Sequence, residues 1–290
     1  MKDGQYEAAA ESIDRAITQE KAMAKEKTWR YRGDIYRAIA LDSALYAKHP
    51  EALKVSLDSY FKAKELDTKE TYLPDVIQGI DQIQIMANNY GITEFTVGNY
   101  LKAAELFQLS TEVSRNFNVI DTLATFNTSL SYEKAGELSK AIEGYQTVAA
   151  LGYQVPNVYL FIAGLQQQMN DTTAALTTLQ NARKTHPEEQ ALIIEELNIY
   201  LRSGDYEKAE SNLRMAAEQE PDNELLFFSM GSVYDNLKRT EEAEKAYLRA
   251  LEIKPDYFDA NYNLGALYFN QGVLKVNEAN EVPPSQNKKY

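Results

Sequence analysis

From residue 122 onward the chain repeats one arrangement of apolar and polar positions. Small residues recur at Ala141, Ala175, Ala209 and Ala243, each 34 residues after the last. Four places on come Tyr145, Leu179, Leu213 and Tyr247, and three beyond those Val148, Ala182, Ala216 and Ala250. Steps of four and three residues put the three series on one helix face, where the small residue admits a neighbouring backbone and the larger one fills the space beside it. Pro187, Pro221 and Pro255 keep the register and mark boundaries, because proline disfavours helix in the residue before it. Upstream in each unit a large residue falls at Tyr132, Tyr200, Tyr234 and Tyr268, with Gln166 as the exception. Between the two segments Gly136-Glu137, Asn170-Asp171 and Gly204-Asp205 read as turns, Gly or Asn taking the left-handed conformation and Asp capping the second helix. Each unit is then an antiparallel helix pair with an apolar face left over, so pairs must stack. The expected fold is all-α, an alpha-alpha superhelix, with regular repeats at 122–155, 156–189, 190–223 and 224–257. An incomplete terminal repeat at 258–290 opens with Leu264, Gly265 and Tyr268. Glu196-Leu197 and Thr128-Ser129 stand where other units carry a large–small pair, and the register survives them.

The N-terminal half is looser. A partial repeat at 1–20 shows a second helix through Tyr6, Ala9, Ile13 and Ala16 without its first. A longer repeat at 26–70 opens on Trp29, Gly33 and Tyr36 and closes on Ser56, Tyr60 and Ala63. Another at 73–117 carries Gly98, Ala103 and Phe107 in the second-helix places. Both exceed the period by about ten residues, which are expected as helix extensions or rim turns at 38–50 and 86–96. All of 1–290 reads as a single superhelical domain.

The segment Glu224–Pro255 resembles a tetratricopeptide repeat (TPR) at Phe227, Met230, Gly231, Tyr234, Ala243, Tyr247, Ala250 and Pro255. The resemblance implies a TPR solenoid that binds a protein or peptide, with the first helix of each pair lining a concave groove. From the second, fifth, ninth and twelfth places of each first helix come the candidate groove residues Phe126, Leu130, Asn157, Leu160, Gln167, Ile194, Asn198, Phe228 and Tyr262, nine of the twenty residues at those places. The fifth-place ladder Phe126, Leu160, Ile194, Phe228, Tyr262 is a candidate apolar strip, and Asn157, Asn198 and Gln167 are candidate partners for a peptide backbone. The Lys/Asn/Arg cluster with which some family members clamp a terminal carboxylate is not reproduced at these places. The tyrosine-rich units, with KTWRYRGDIY near the start and YNLGALYFNQG near the end, resemble exported tetratricopeptide proteins of Bacteroidetes-type bacteria. That implies the periplasm or cell envelope, with the cytoplasm as the alternative. The opening MKDGQYEAAAESIDRAI resembles the middle of a repeat and VNEANEVPPSQNKKY the beginning of an insertion before a further helix, so the natural chain is expected to continue.

Charge narrows the partners. With 30 basic and 43 acidic residues the formal net charge is -13, which repels phosphate backbones and argues against nucleic acid. No run reaches the roughly 18 to 20 apolar residues that span a bilayer. Cysteine is absent, and with it thiol nucleophiles and cysteine metal sites. The two histidines, His49 and His186, each precede a proline at a repeat boundary and read as turn residues. Acidic pairs such as Glu188-Glu189, Glu195-Glu196 and Glu241-Glu242 read as solvated faces. No P-loop, dinucleotide fingerprint, His-Glu-x-x-His or calcium loop occurs. The expectation is therefore a scaffold with no catalytic residues, cofactor or metal. Its alternatives are a structural assembly component of a cell-envelope complex, or a small-molecule or glycan binder using Trp29, Tyr31 and Tyr36. The sequence leaves the oligomeric state open.

Overall fold

A computed structural model describes residues 3–187 and 189–281. Among them are sixteen helices and no strand, in two compact units, Met1–Gln154 and Val155–Tyr290. The first holds α1 (Asp3–Ala16), α2 (Glu20–Met23), α3 (Glu26–Leu41), α4 (Ser43–Lys48), α5 (Ala52–Leu66), α6 (Leu73–Thr96), α7 (Tyr100–Asn116), α8 (Thr122–Ala135) and α9 (Leu138–Ala150). Helices α3 and α5, α6 and α7, and α8 and α9 form the antiparallel pairs, and α5 stacks on α6 and α7 on α8. The additional residues of the two long repeats become helix. In the first, α3 runs on to Leu41 and Asp42 then caps the short α4, its carboxylate accepting from the Ala44 and Leu45 amides at 2.9 and 3.0 Å. In the second they lengthen α6 to 24 residues.

Close backbone approach fixes the centre of this unit. Tyr60 of α5 is fully buried between two glycines. A Cβ on Gly33 of α3 would lie 2.7 Å from its ring, and one on Gly79 of α6 2.4 Å from Cζ. The Tyr60 hydroxyl donates to Asp34 at 2.7 Å and accepts from Arg37 at 2.9 Å. Burial and the Asp34 bond push its pKa well above the ordinary tyrosine value.

The second unit holds α10 (Asn157–Gln168), α11 (Thr172–Thr185), α12 (Gln190–Ser203), α13 (Tyr206–Gln219), α14 (Glu224–Asn236), α15 (Thr240–Ile253) and α16 (Phe258–Glu281). Consecutive helices pack in turn, as α10·α11, α11·α12 and onward to α15·α16. The twelve residues of the three core series, in both units, are at most 1% exposed. The turns repeat as well: Gly136, Asn170, Gly204 and Lys238, one period apart, all have positive φ, between 61° and 81°. Lysine tolerates that conformation poorly, so the fourth turn follows the register rather than its own residue. Gly231 of α14 faces Tyr247 of α15 so closely that a Cβ would meet the ring at 2.5 Å.

Two expectations change. Residues 276–281 continue α16 instead of opening an insertion; residues 282–290 lie outside the described residues. Gly272 occupies the turn place one period after Lys238, yet it is helical. The second-helix places beyond it are Asn277 and Glu281, so no small–large apolar face exists to draw the chain back. The other change concerns Glu196, which is 4% exposed rather than part of a solvated face, because Arg183 neutralises it at 2.5 Å.

Asn212 of α13 is 2% exposed, and neither its amide nitrogen nor its amide oxygen has a hydrogen-bond partner. One period on, the same place holds buried Ala246. An orphaned buried polar group costs about 1–3 kcal/mol. Asn212→Ala is therefore expected to raise stability by about 1 kcal/mol in urea unfolding, after allowing for a small cavity. A loss of stability would mean that the amide is satisfied.

Candidate functional site

The predicted groove residues fall on the first helices of both units. In the second unit Leu160 of α10, Ile194 of α12 and Phe228 of α14 are half-buried, and Tyr262 of α16 is 68% exposed. The gradient has a packing cause. Leu160 lies against the core of its own pair and the next. Phe228 sits between the rings of Tyr247 and Tyr257, at 6.0 and 5.2 Å. Among the described residues Tyr262 stacks on Phe258 alone, at 6.3 Å. Contacts of α10 with α12 and of α14 with α16 set these helices side by side.

The polar members differ in how far they are engaged. Gln167 is already held: its amide donates to Glu195 at 2.9 Å, and it accepts from Arg202, which also reaches Glu195 at 3.2 Å. Asn198, half-buried, and Asn157, exposed, have no side-chain hydrogen bond among the described residues. Gly164, the ninth place of α10, opens onto free space.

In the first unit Phe126 and Leu130 lie on α8, both half-buried. Phe126 packs its ring against Tyr145 and Tyr153, at 5.5 and 5.6 Å. Below it the Tyr145 hydroxyl donates to Glu133 at 2.8 Å, and burial with that bond raises the Tyr145 pKa.

The other candidate chemistry disperses. His49 ends α4 near Glu7 and Glu51, at 3.5 and 3.4 Å, and His186 ends α11 against Thr185. Glu188 lies outside the described residues. Among the described residues no group of three or more His, Asp or Glu side chains is placed to hold a metal ion, and no helix is long and apolar enough to cross a membrane. Trp29 packs against the first unit's core with its indole N–H on the Met23 carbonyl, and Tyr31 is partly exposed beside Lys27 and Arg30.

Sequence reasoning missed a polar cluster on the second-helix side. Arg183 of α11, Glu196 and Tyr200 of α12 and Asn212 of α13 line a cavity of about 470 Å³. The Glu196 carboxylate accepts from Arg183 at 2.5 Å, from Gln180 at 3.1 Å and from the Tyr200 hydroxyl at 3.1 Å. Burial and the neighbouring carboxylate raise the Tyr200 pKa. The available signal was Glu196 itself, a charge at a place where Ile162 and Met230 stand in the units either side.

Residues 236–272 match the family described as TPR repeat. No curated protein matches the chain. Solved structures similar to it include YrrB, described as a TPR protein with an unusual peptide-binding site. It is 17% identical over 71% of this chain and 98% of its own, with a TM-score of 0.43. TTC0263, a thermophilic TPR protein of Thermus thermophilus, is 20% identical over 64% and 99%, with a TM-score of 0.38. MamA 41-end from Desulfovibrio magneticus RS-1 is 17% identical over 53% and 88%, with a TM-score of 0.43.

Proposed function

We propose that this all-α chain of TPR-type helix pairs is a protein- or peptide-binding scaffold that works through its first-helix faces. The observation that carries the reading is the row in the second unit. Leu160, Ile194, Phe228 and Tyr262 present apolar surface that packing leaves partly uncovered, and the Asn157 and Asn198 amides beside them have unfilled hydrogen-bond capacity. Apolar side chains flanked by amides suit an extended peptide, whose side chains need pockets and whose backbone needs a donor and an acceptor together. Phe126 and Leu130 offer the same kind of surface in the first unit. Gln167 acts here by holding Glu195 and Arg202 rather than by touching the guest.

Panning a random peptide library on the chain tests this. Selected peptides are expected to bind Ile194→Asp and Asn198→Ala variants at least about tenfold more weakly. No enrichment, or peptides that bind the variants as well as the parent, would sink it. An assembly role has one observation of its own: Phe258, Tyr262, Phe269, Leu274 and Val276 of α16 are each at least 60% exposed. On that reading Phe269→Ser and Leu274→Ser abolish self-association in sedimentation velocity, and peptide selection fails.

A further inference from the structure

Two side grooves, one in each unit, are built on the same frame. Arg115, Tyr132 and Lys140 line the groove among α7, α8 and α9. Arg183, Tyr200 and Lys208 line the groove among α11, α12 and α13. Each residue of the first set lies 68 positions before its counterpart, two periods, and the intervening unit has Ala149, Gln166 and Ala174 at these places. The detail also matches. Lys140 stands 5.1 Å from the Tyr132 ring centre and pairs with Glu137 at 3.1 Å. Lys208 stands 5.8 Å from the Tyr200 ring centre and pairs with Asp205 at 2.6 Å.

What differs is the occupant. In the second unit a carboxylate, Glu196, fills the frame and takes bonds from Arg183 and the Tyr200 hydroxyl. In the first unit the Glu196 place is Thr128, whose hydroxyl is turned back onto the Ala124 carbonyl at 2.8 Å. Arg115 is exposed, and neither its guanidinium nor the Tyr132 hydroxyl has a hydrogen-bond or ion-pair partner among the described residues. A cavity of about 430 Å³ remains. Gln108 of α7, whose side-chain amide is likewise unengaged, also lines it.

We propose that this first-unit groove binds a glutamate side chain of a partner polypeptide, its carboxylate received by Arg115 and the Tyr132 hydroxyl as Glu196 is received in the second unit. Two carboxylates share the lining and limit the guest's charge. Asp121 is engaged in capping α8 through the Ala124 amide at 2.9 Å, and Glu143 stands exposed. They make a singly charged carboxylate a better guest than a phosphate dianion. The proposal concerns a different surface from the first-helix row and stands or falls separately.

The test uses the full chain with ¹⁵N-labelled arginine side chains, the Arg115 Nε–H resonance being assigned by its loss in Arg115→Gln. N-acetyl-glutamate N-methylamide is the probe, N-acetyl-glutamine N-methylamide its neutral isostere, and inorganic phosphate the competing anion. The glutamate probe is expected to shift the Arg115 resonance saturably, with a Kd on the order of millimolar. The glutamine probe and phosphate are expected to be at least about tenfold weaker. Thr128→Glu, which rebuilds the second-unit arrangement, closes the site and loses the response. Arg115 is exposed, so Arg115→Gln leaves folding intact and its own probe response, read on the Tyr132 ring resonances, falls at least about tenfold. No saturable shift, equal response to the glutamine probe or to phosphate, or Tyr132 shifts undiminished in Arg115→Gln overturns the proposal. Should Thr128→Glu fail to fold, the Arg115 comparison still decides.

Discussion

Glu196→Ala is expected to cost the second unit about 3 kcal/mol, the usual scale for removing one partner of a buried ion pair. The deletion strands Arg183, whose side chain is only 16% exposed, and takes away the acceptor that Gln180 and Tyr200 share. The pair itself is another matter. Ile162 and Met230 occupy the Glu196 place in the adjoining units, so an apolar side chain fits the surrounding packing. Glu196→Met combined with Arg183→Leu should therefore lie within about 1 kcal/mol of the parent, because desolvation offsets most of the pair's attraction. Hydrogen exchange of the α12 and α13 amides under native conditions reads both effects locally. If the single variant is as benign as the double, the carboxylate is not buried in the way its contacts indicate.

The second large effect is Gly79→Ala. Alanine in the middle of α6 would by itself favour helix by about 1 kcal/mol. Here its Cβ arrives 2.4 Å from Tyr60 Cζ and 2.7 Å from the hydroxyl oxygen. The ring has little room to move, since Gly33 lies close to its Cδ1 and Cε1 atoms and Asp34 and Arg37 hold its hydroxyl. Overpacking of this kind costs about 3 kcal/mol, leaving a net loss of about 2 kcal/mol. Trp29, the sole tryptophan, packs on the same core, and its fluorescence in urea reports the unit directly. Pairing Gly79→Ala with Tyr60→Leu should cost less than the sum of the two, since the smaller side chain vacates the space. Strict additivity, or an unaffected single variant, would contradict the packing described.

How much of this was legible in the sequence depends on the forces each residue answers to. The core series at Ala141, Tyr145 and Val148 and their periodic equivalents are fixed by helix geometry and burial, both local to a pair, so spacing alone located all twelve. The turns at Gly136, Asn170 and Gly204 carry residues that suit positive φ. Lys238 carries no such signal and was findable only by counting from its neighbours. Helix α16 overran its expected end because a turn needs a second helix to return, not merely a Gly272. The groove residues were placed on the right helices by register. How deeply Phe228 is sheltered depends on Tyr257, a contact between pairs that no single repeat shows. The Arg–Tyr–Lys frames lay outside the apolar series altogether and emerge only when units two periods apart are compared.

The close meeting of Gly231 and Tyr247 bears on how such a chain can be reshuffled in evolution. The corresponding places hold Ser129 with Tyr145, Ala163 with Leu179 and Leu197 with Leu213, so the ring-bearing pairs oppose their tyrosine with glycine or serine. Inheritance has to respect those couples. A crossover at the boundary prolines passes on intact pairs, whereas one inside a pair could set Tyr247 against Leu197, a ring against a side chain it leaves no room for. The natural unit of exchange is therefore the whole helix pair, and hybrid genes joined within a turn such as Gly204-Asp205 should be recovered far less often than those joined at Pro221.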